Sequence, residues 1–271
     1  MSMIHEIGSG KLINHWKNRQ PENKDWLIVF KDNRFLLNEK EQIRFPYVEE
    51  FAGETVYLFS IEEENYFLYL EEPKEQEGYL WVVPRYFRDC SMRKEQRFAA
   101  MVANHLAVWY SNSKYCGHCG NRLVHSTKER MMECPVCGNM VYPRISPAVI
   151  VAVIDGDSLL MSKYTNQQGK RYNLVAGFVE IGETLEDCCI REVLEETGIH
   201  IHNVRYYRSQ PWGLSGSLLA GFVAEAIGDK TITLDENELS EACWIKREEI
   251  ECEWDDFSLT NEMIMKFKEG K

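Results

Sequence analysis

The run from Gly177 to Ile199, GFVEIGETLEDCCIREVLEETGI, constrains this chain more than any other segment. Glu192 and Glu196 are four residues apart with Glu195 between them, so a helix would bring their carboxylates together. Clustered carboxylates repel one another unless a cation lies between them, and their hard oxygens suit Mg²⁺ or Mn²⁺. The run therefore predicts a divalent-cation site of the kind that neutralises a pyrophosphate. The alternative is a solvated acidic helix face.

Signals at both ends of the run predict where this helix begins and ends. Thr184 and Asp187 have the spacing of a capping box, which marks a helix start. Gly198 fits the left-handed position that follows a helix.

The composition indicates an ordinary globular protein. A chain of 271 residues can hold two compact domains and a small insert. Its formal net charge of −12 repels phosphate and argues against a general nucleic-acid binder. The N-terminal sequence has no apolar core of signal-peptide length, and the most apolar run, at 147–154, is too short to span a bilayer. Nine cysteines without a secretion signal predict a reducing, cytoplasmic location.

Residues 1–110 are predicted to form a β-rich N-terminal domain that ends in a helix. The segments 26–38, 55–72 and 78–87 are rich in β-branched and aromatic residues and are divided by polar or Gly/Pro stretches. From 91 to 110 the hydrophobic period becomes helical.

Residues 144–271 are predicted to form an α-β-α domain of the α+β class, in which helices sandwich a mixed sheet. The apolar run 147–154 is typical of a strand buried on both faces. Further strands are predicted at 158–164, 203–208, 217–227 and 242–246, and a closing helix near 259–268.

Residues 111–143, between these domains, carry two CxxC pairs that predict a zinc ribbon. Four thiolates can converge on a tetrahedral Zn²⁺ and leave no open position for chemistry, so the ion would be structural. The alternative is two unrelated reduced pairs. The proposed ligands are Cys116, Cys119, Cys134 and Cys137. The module also has basic residues that form either a solvated face or a contact for an RNA tail. These are Lys114, Arg122, Lys128 and Arg130.

The 23-residue run resembles the Nudix box at every specified position. The family pattern is Gly, five residues, Glu, seven residues, Arg-Glu, an aliphatic residue, one residue, Glu-Glu, one residue, Gly and an aliphatic residue. Those positions are Gly177, Glu183, Arg191, Glu192, Val193, Glu195, Glu196, Gly198 and Ile199. The resemblance implies a Nudix fold that hydrolyses a nucleoside diphosphate linked to another group.

A second motif narrows the resemblance to the NADH pyrophosphatases, a subfamily that also removes NAD caps from RNA. Ser209-Gln210-Pro211-Trp212, with Ser217 five residues further on, resembles the signature that follows the box in these enzymes. These enzymes have the same order of segments as this chain: a variable N-terminal domain, a four-cysteine zinc ribbon, a Tyr-Pro segment (here Tyr142-Pro143), the box and this signature. The chain departs from them at 213–216, where Gly-Leu-Ser-Gly stands in place of Pro-Phe-Pro-x and predicts a more flexible loop.

The resemblance implies a role for each candidate site residue. The metal site would consist of Glu192, Glu195, Glu196, the backbone carbonyl of Ala176 and Glu238, with Glu241 as the alternative to Glu238. Glu195 or Glu196 would be the general base, and Arg191 would orient the acidic residues by ion pairing. The residues implied to contact substrate are Glu129, Tyr142, Phe178, Gln210, Pro211, Trp212, Ser217 and Thr260. Their aromatic members either stack on a base or belong to the core.

The leading hypothesis is therefore an NAD(+)/NADH diphosphatase that releases NMN(H) and AMP and also acts on the 5′ end of NAD-capped RNA. Two or three Mg²⁺ or Mn²⁺ ions would polarise the phosphorus–oxygen bonds and activate a water. Two alternatives stay open: a pyrophosphatase that prefers ADP-ribose or another nucleoside diphosphate derivative, and a non-catalytic nucleotide sensor or RNA-binding regulator. The family precedent further implies a homodimer in which Tyr142 reaches the partner's pocket, and the shortness of the most apolar run predicts no membrane association.

Overall fold

The computed structural model describes residues 2–8, 11–74, 77–165 and 171–270, which form two compact units. The N-terminal unit comprises Ile4–Arg144 and the short segment Gly213–Gly216. The C-terminal unit is built mainly from Ile145–Trp212 and Ser217–Lys271. The division of the first 143 residues at position 110 remains a prediction. No helix in the described parts of the chain has the length and apolar character needed to cross a membrane.

Two small sheets build most of the N-terminal unit. One has the strand order β1-β5-β6-β2 and the other β3-β4-β7. Their strands are β1 (Leu12–Ile13), β2 (Trp26–Ile28), β3 (Phe30–Lys31), β4 (Arg34–Asn38), β5 (Thr55–Ile61), β6 (Glu64–Tyr69) and β7 (Tyr79–Val82). Short 3-10 helices follow at Val48–Glu50 and Pro84–Arg88. The predicted β-rich region is thus confirmed, except that 84–87 turns into a 3-10 helix because Pro84 fixes its first residue.

Helix α1 (Lys94–Asn112) confirms the predicted amphipathic helix. Its apolar stripe, which includes Phe98 and Leu106, is buried. The same helix holds the segment Gly213–Gly216, because Asn104 Nδ2 donates a hydrogen bond of 2.8 Å to the Gly213 carbonyl. A Cβ added to Gly213 would lie 1.9 Å from the Met101 carbonyl oxygen. This close approach leaves no room at position 213 for any residue other than glycine.

The cysteine module contains a three-stranded sheet of order β10-β9-β8, formed by β8 (Val124–His125), β9 (Met132–Glu133) and β10 (Met140–Val141). One of its four basic residues is committed to the fold, contrary to the idea that all four could contact RNA. The Arg130 guanidinium donates to the backbone carbonyls of Asn14, at 3.1 Å, and of Leu58.

The C-terminal unit contains a six-stranded mixed sheet of order β14-β15-β11-β12-β16, with β13 paired to β11. Strand β11 runs parallel to β15 and antiparallel to β12 and β13. The strands are β11 (Ser146–Asp155), β12 (Ser158–Tyr164), β13 (Val175–Phe178), β14 (His200–Trp212), β15 (Ser217–Ile227) and β16 (Leu239–Lys246), and a 3-10 helix lies at Arg247–Glu249.

Side chains alternate along β11 between two helical layers. Val149, Val151 and Val153 pack in the core that contains helix α2 (Leu185–Thr197), whereas Ile150 and Ala152 pack in the core that contains helix α3 (Leu259–Lys268). The strand is therefore buried on both faces, as the apolar run predicts. The arrangement confirms the α-β-α layering of the C-terminal domain.

The SQPW motif lies at the end of a strand and not in a loop. The strand predicted at 203–208 extends in β14 as far as Trp212, where Gln210 is paired with Leu219 and Trp212 with Ser217. Pro211 is compatible with this position because β14 is the edge strand of its sheet. Alternation along the strand leaves Pro211 exposed and buries Gln210.

Candidate active site and zinc centre

Helix α2 begins and ends where the sequence predicts. The Thr184 side chain accepts a hydrogen bond of 3.1 Å from the Asp187 backbone N–H, which caps the first turn. Gly198 has φ of 71° and donates to the Leu194 carbonyl at 2.8 Å. The last two turns of this helix carry the acidic cluster.

Arg191 connects three of the acidic side chains. Its Nε and Glu183 Oε1 are 2.8 Å apart, and its Nη1 lies 2.8 Å from Glu192 Oε1 and 3.0 Å from Glu195 Oε2. Its Nη2 also donates to the Phe178 carbonyl at 3.0 Å, which ties α2 to the end of β13. Hydrogen bonds from Arg191 lower the pKa of Glu183 to about 2. Arg191 is thus placed to hold the carboxylates of the cluster in fixed directions.

Glu196 is the most deeply buried acid of the cluster. Glu196 is 2% exposed, and neither of its carboxylate oxygens has a hydrogen-bond partner among the residues that the structure describes. Burial, and then the negative charges of Glu192, Glu238 and Asp235, raise its pKa to about 8. A carboxylate in such a position is costly unless a cation neutralises it. This orphaned carboxylate among other acids therefore fits a divalent ion.

Glu192 occupies a space that exists only because residue 177 is glycine. A Cβ added to Gly177 would lie 1.9 Å from the Glu192 carboxyl carbon. Burial is the main factor that raises the pKa of Glu192. The neighbouring Ala176 carbonyl accepts a hydrogen bond from the Tyr164 hydroxyl at 3.4 Å. The Glu192 carboxylate, from helix α2, therefore lies against Gly177 of β13, the residue directly after Ala176. The predicted side-chain ligand and the predicted backbone ligand are thus close together.

Glu238 is a better candidate than Glu241 for the ligand outside the helix. The Glu238 charge raises the pKa of both Glu192 and Glu196. Glu241 instead accepts a hydrogen bond of 2.6 Å from Lys163 Nζ and another from the Tyr172 hydroxyl. Its charge is already compensated.

The carboxylate oxygens of the acidic cluster lie farther apart than the sulfur atoms of the cysteine cluster. Within the described ranges, only the four cysteines bring three or more candidate ligand atoms within 4.8 Å of one another. Glu195 has a side chain that is 61% exposed and lies against Arg191. Two further residues near the cluster were missed by the sequence analysis: Asp235, which the acidic segment 235–241 could have suggested, and Tyr164, for which the sequence holds no signal.

The candidate substrate residues of the C-terminal unit differ in accessibility. Phe178 is 56% exposed, Pro211 is exposed, and Trp212 and Thr260 are half-buried. Ser217 is 3% exposed.

Gln210 is enclosed by groups of the protein. It is fully buried, its Nε2 donates to the Phe257 carbonyl at 2.8 Å, and its Oε1 accepts from the Leu259 backbone N–H at 2.8 Å. Both ends of the amide are engaged by the protein, so the direct substrate contact predicted for Gln210 is not supported by this geometry.

Glu129 and Tyr142 lie together in the N-terminal unit. The Tyr142 hydroxyl donates to Glu129 Oε1 at 3.1 Å, and both residues are exposed. This hydrogen bond raises the pKa of Tyr142.

The four cysteines form a metal centre. Sγ of Cys116 lies 3.6 Å from Sγ of Cys137, and Sγ of Cys119 lies 3.4 Å from Sγ of Cys134. Four thiolates at about 2.3 Å from a tetrahedral Zn²⁺ would be about 3.8 Å apart, so the cluster fits this ion. Asn121 Nδ2 donates to Cys119 Sγ at 3.3 Å, and this is the first cause that lowers the pKa of Cys119 to about 6. The same close contacts between the thiols raise the pKa of Cys137 to about 12, so a bound cation is needed to keep all four cysteines as thiolates.

Comparison with known proteins agrees with both centres. The chain matches the family model of the NUDIX domain over residues 144–264 and that of the NADH pyrophosphatase zinc ribbon domain over residues 111–142. The cluster is thus the structural zinc site of a zinc ribbon.

Several curated proteins resemble the chain over long stretches. The NAD-capped RNA hydrolase NudC of Pseudomonas aeruginosa (strain LESB58) is 36% identical over 233 residues, which are 81% of this chain and 80% of that protein. The NAD-capped RNA hydrolase NudC of Shigella flexneri is 44% identical over 146 residues, which are 54% of this chain and 56% of that protein. A crystal structure of a NUDIX hydrolase from Nitrosomonas europaea matches with a TM-score of 0.50 at 20% identity, covers 58% of this chain and 91% of its own, and supports the fold.

Proposed function

Because this chain belongs to the Nudix hydrolase family, we propose that it hydrolyses the pyrophosphate bond of NAD(H) to NMN(H) and AMP and also removes NAD caps from RNA. The two curated relatives described above carry the second activity in their names, and the matched zinc ribbon model is that of NADH pyrophosphatases. The enzyme acts on a dinucleotide because the acidic site is suited to a pyrophosphate and the flanking aromatic side chains are suited to two bases.

One observation carries this proposal: the buried, unpartnered carboxylate of Glu196 inside an intact acidic cluster. Burying an acid without a partner destabilises the fold, so the arrangement supports a site for a cation. The cost is offset when Mg²⁺ or Mn²⁺ binds. The residues that would hold the ions are Glu192, Glu195, Glu196, Glu238 and the carbonyl of Ala176.

Bound ions would supply charge neutralisation at the pyrophosphate and a lower pKa for the attacking water. The remaining work belongs to side chains of the protein. Arg191 fixes the directions of Glu192 and Glu195 through hydrogen bonds of 2.8 and 3.0 Å. Glu195 is the proposed general base because its side chain is 61% exposed and can reach a water, whereas Glu196 is enclosed.

Aromatic faces are proposed to hold the two ends of the dinucleotide. Phe178 lies next to the cluster, since its carbonyl binds Arg191, and its ring is available for stacking. Trp212 is half-buried and can offer an edge or a face to a base. Thr260, in the first turn of α3, is proposed as a polar contact. Glu129 and Tyr142 stay proposed substrate contacts on the strength of the resemblance alone.

A product-resolved assay tests the reaction. The purified protein with Mg²⁺ or Mn²⁺ is offered NADH, NAD⁺, NAD-capped RNA and ADP-ribose, and the products are separated by chromatography. We expect NMN(H) and AMP from the first two substrates and a 5′-monophosphate RNA from the third. Faster turnover of ADP-ribose than of NADH would favour the second candidate, for which the loss of the prolines and the phenylalanine at 213–216 is the supporting observation. Absence of turnover with either ion would refute the enzyme.

We also propose that the protein is a cytoplasmic homodimer. The zinc module exposes several large apolar side chains, which is typical of a surface that another protein covers. They are Tyr115, Val124, Val136, Met140 and Tyr142. The nine cysteines all lie in the described part of the chain and none forms a disulfide, which suits a reducing compartment. Light scattering should give twice the chain mass of 31.7 kDa, and a monomer would contradict the dimer.

A further inference from the structure

The buried amide of Gln210 holds one short piece of backbone at two points. Its Nε2 donates to the Phe257 carbonyl and its Oε1 accepts from the Leu259 N–H, each at 2.8 Å. The side chain is 0% exposed. Because the partners lie 47 and 49 residues away along the chain, these bonds fix β14 against the segment Phe257–Leu259.

This segment forms the beginning of α3. Ser258 is the N-cap residue, but its own side chain makes no capping hydrogen bond. The first N–H groups of a helix have no acceptor within the helix, so Gln210 takes the capping role at Leu259 from a neighbouring strand. Asp255 Oδ1 accepts from the Phe257 and Ser258 N–H groups at 3.0 Å. The start of α3 is therefore held by two side chains that lie outside the helix.

Two candidate substrate contacts are attached to the segment that Gln210 holds. The rings of Trp212 and Phe257 meet edge to face, with centroids 5.3 Å apart and an interplanar angle of 75°. Thr260 directly follows Leu259 in the chain. A shift of the segment would move the support of the Trp212 ring and the Thr260 side chain together.

We propose that Gln210 is a positioning residue for the dinucleotide and not a contact to it. Its amide fixes the segment Phe257–Leu259, and this segment sets the Trp212 ring and Thr260 for binding of a base and its ribose. The proposal rests on the proposed function, because it assigns how that substrate is gripped. It separates the two parts of the site: the acidic cluster performs hydrolysis, and the β14–α3 junction determines affinity.

Gln210→Met tests the role with little change of volume, since methionine has a similar shape and lacks both hydrogen bonds. We expect the KM for NADH to rise about tenfold, which corresponds to about 1.4 kcal/mol, while kcat changes less than about twofold. The Mg²⁺ concentration for half-maximal rate should stay unchanged, because no metal candidate lies in this junction. A fall in kcat with an unchanged KM would overturn the proposal.

Tyr207→Phe is the matched control. Tyr207 also lies on β14, and its hydroxyl donates to Glu262 of α3 at 3.2 Å, beyond the segment that Gln210 holds. Loss of the Tyr207 hydroxyl removes a hydrogen bond between β14 and α3 but leaves the hydrogen bond between Gln210 and the Leu259 N–H in place. We expect the stability of this variant to fall while KM stays within about twofold of the wild type. An equal rise of KM in both variants would mean that loosening α3 anywhere has the same effect, and the specific role of Gln210 would be refuted.

A double-mutant cycle with Phe257→Leu distinguishes positioning from direct contact. Each variant raises KM by some factor relative to the wild type. If Gln210 acts through Phe257, the factor for the double variant should be clearly smaller than the product of the factors for the two single variants. Multiplicative effects would instead indicate an independent contact of Gln210 with substrate and overturn the proposal.

Hydrogen exchange gives a result that does not depend on turnover. The Leu259 amide should exchange faster in Gln210→Met than in the wild type, because its acceptor is lost. Unchanged exchange would refute the hydrogen-bonded junction even if the protein is an active enzyme. If the Leu259 amide exchanges faster in the variant but the wild type turns over no dinucleotide, the hydrogen bond from Gln210 is supported and only the proposed function is refuted. The two failures can therefore be told apart.

Discussion

Burial and three neighbouring acids raise the pKa of Glu196 to about 8, above its ordinary value of 4.5. The unfolded chain releases this proton at lower pH than the folded chain does. Between about pH 4.5 and pH 8 the unfolded state therefore binds fewer protons, and the free energy of unfolding falls as pH rises. Glu196→Gln removes this loss, since a neutral amide cannot ionise.

We expect Glu196→Gln to be more stable than the wild type at pH 8 and to lose most of this advantage at pH 5. Denaturant unfolding in buffer free of Mg²⁺ and Mn²⁺, with zinc left in place, measures the difference. Added Mg²⁺ should reduce it by stabilising the wild type, and kcat of the variant should be largely lost. Glu195→Gln is the control, because its side chain is mostly exposed. If the stability difference between Glu196→Gln and the wild type does not change with pH, the raised pKa of Glu196 is contradicted.

Gly177 offers a second test at the scale of one residue. In Gly177→Ala the new methyl group would meet the Glu192 carboxylate at 1.9 Å and push it from its place. We expect the apparent affinity for Mg²⁺ to fall about 10- to 100-fold, as for other changes that disturb a metal ligand. Gly117→Ala is the matched control, since a Cβ there meets nothing within 4 Å. Titration of activity with Mg²⁺ compares them, and equal affinities would show that Glu192 is no ligand.

Gln210 shows where a sequence stops predicting single-residue roles. The motif around it is recognisable, but its partners Phe257 and Leu259 are far away in the chain, and only the fold brings them together. The same holds for Tyr164, which reaches the Ala176 carbonyl from another strand. Motifs predict which side chains gather at a site, whereas tertiary packing decides which of them face the ligand.

At the scale of elements, strong local signals were the predictable ones. Thr184 and Gly198 predict the two ends of α2, and the helix begins directly after Thr184 and ends directly before Gly198. The continuous apolar run became the buried strand β11. Strand β14 is longer than its predicted range of 203–208. Pro211 is a poor strand residue, and it is the pairing with β15 that extends the strand to Trp212.

The zinc ribbon is an element whose folding should depend on its metal. Its strands β8, β9 and β10 have only two residues each, which is too little to be stable without a central ion. We expect one Zn²⁺ per chain in the purified protein, and its loss together with the order of residues 115–141 in Cys134→Ser. Elemental analysis and hydrogen exchange measure both. Cys252→Ser should keep the zinc, and zinc retained by Cys134→Ser would refute the four-cysteine site.

At the scale of the whole molecule, the protein and its proposed substrates have charge of the same sign. The chain has 43 acidic and 31 basic residues, and the net charge is −12. Long-range repulsion slows the approach of an anion, and salt screens it over a Debye length of about 8–10 Å. The charge distribution should therefore be visible in how salt affects kcat/KM at saturating Mg²⁺.

For NADH we expect kcat/KM to rise about two- to threefold between about 0.02 and 0.15 M NaCl, because repulsion is screened. NAD⁺, which carries one negative charge less, should gain less and serves as the internal control. NAD-capped RNA should show the opposite sign if Lys114, Arg122 and Lys128 of the zinc module hold the RNA chain, since salt weakens contacts to phosphate. A rise with salt for capped RNA, larger than that for NADH, would show that these residues are only a solvated face. Lys128→Gln should flatten the salt dependence for the RNA and leave that for NADH unchanged.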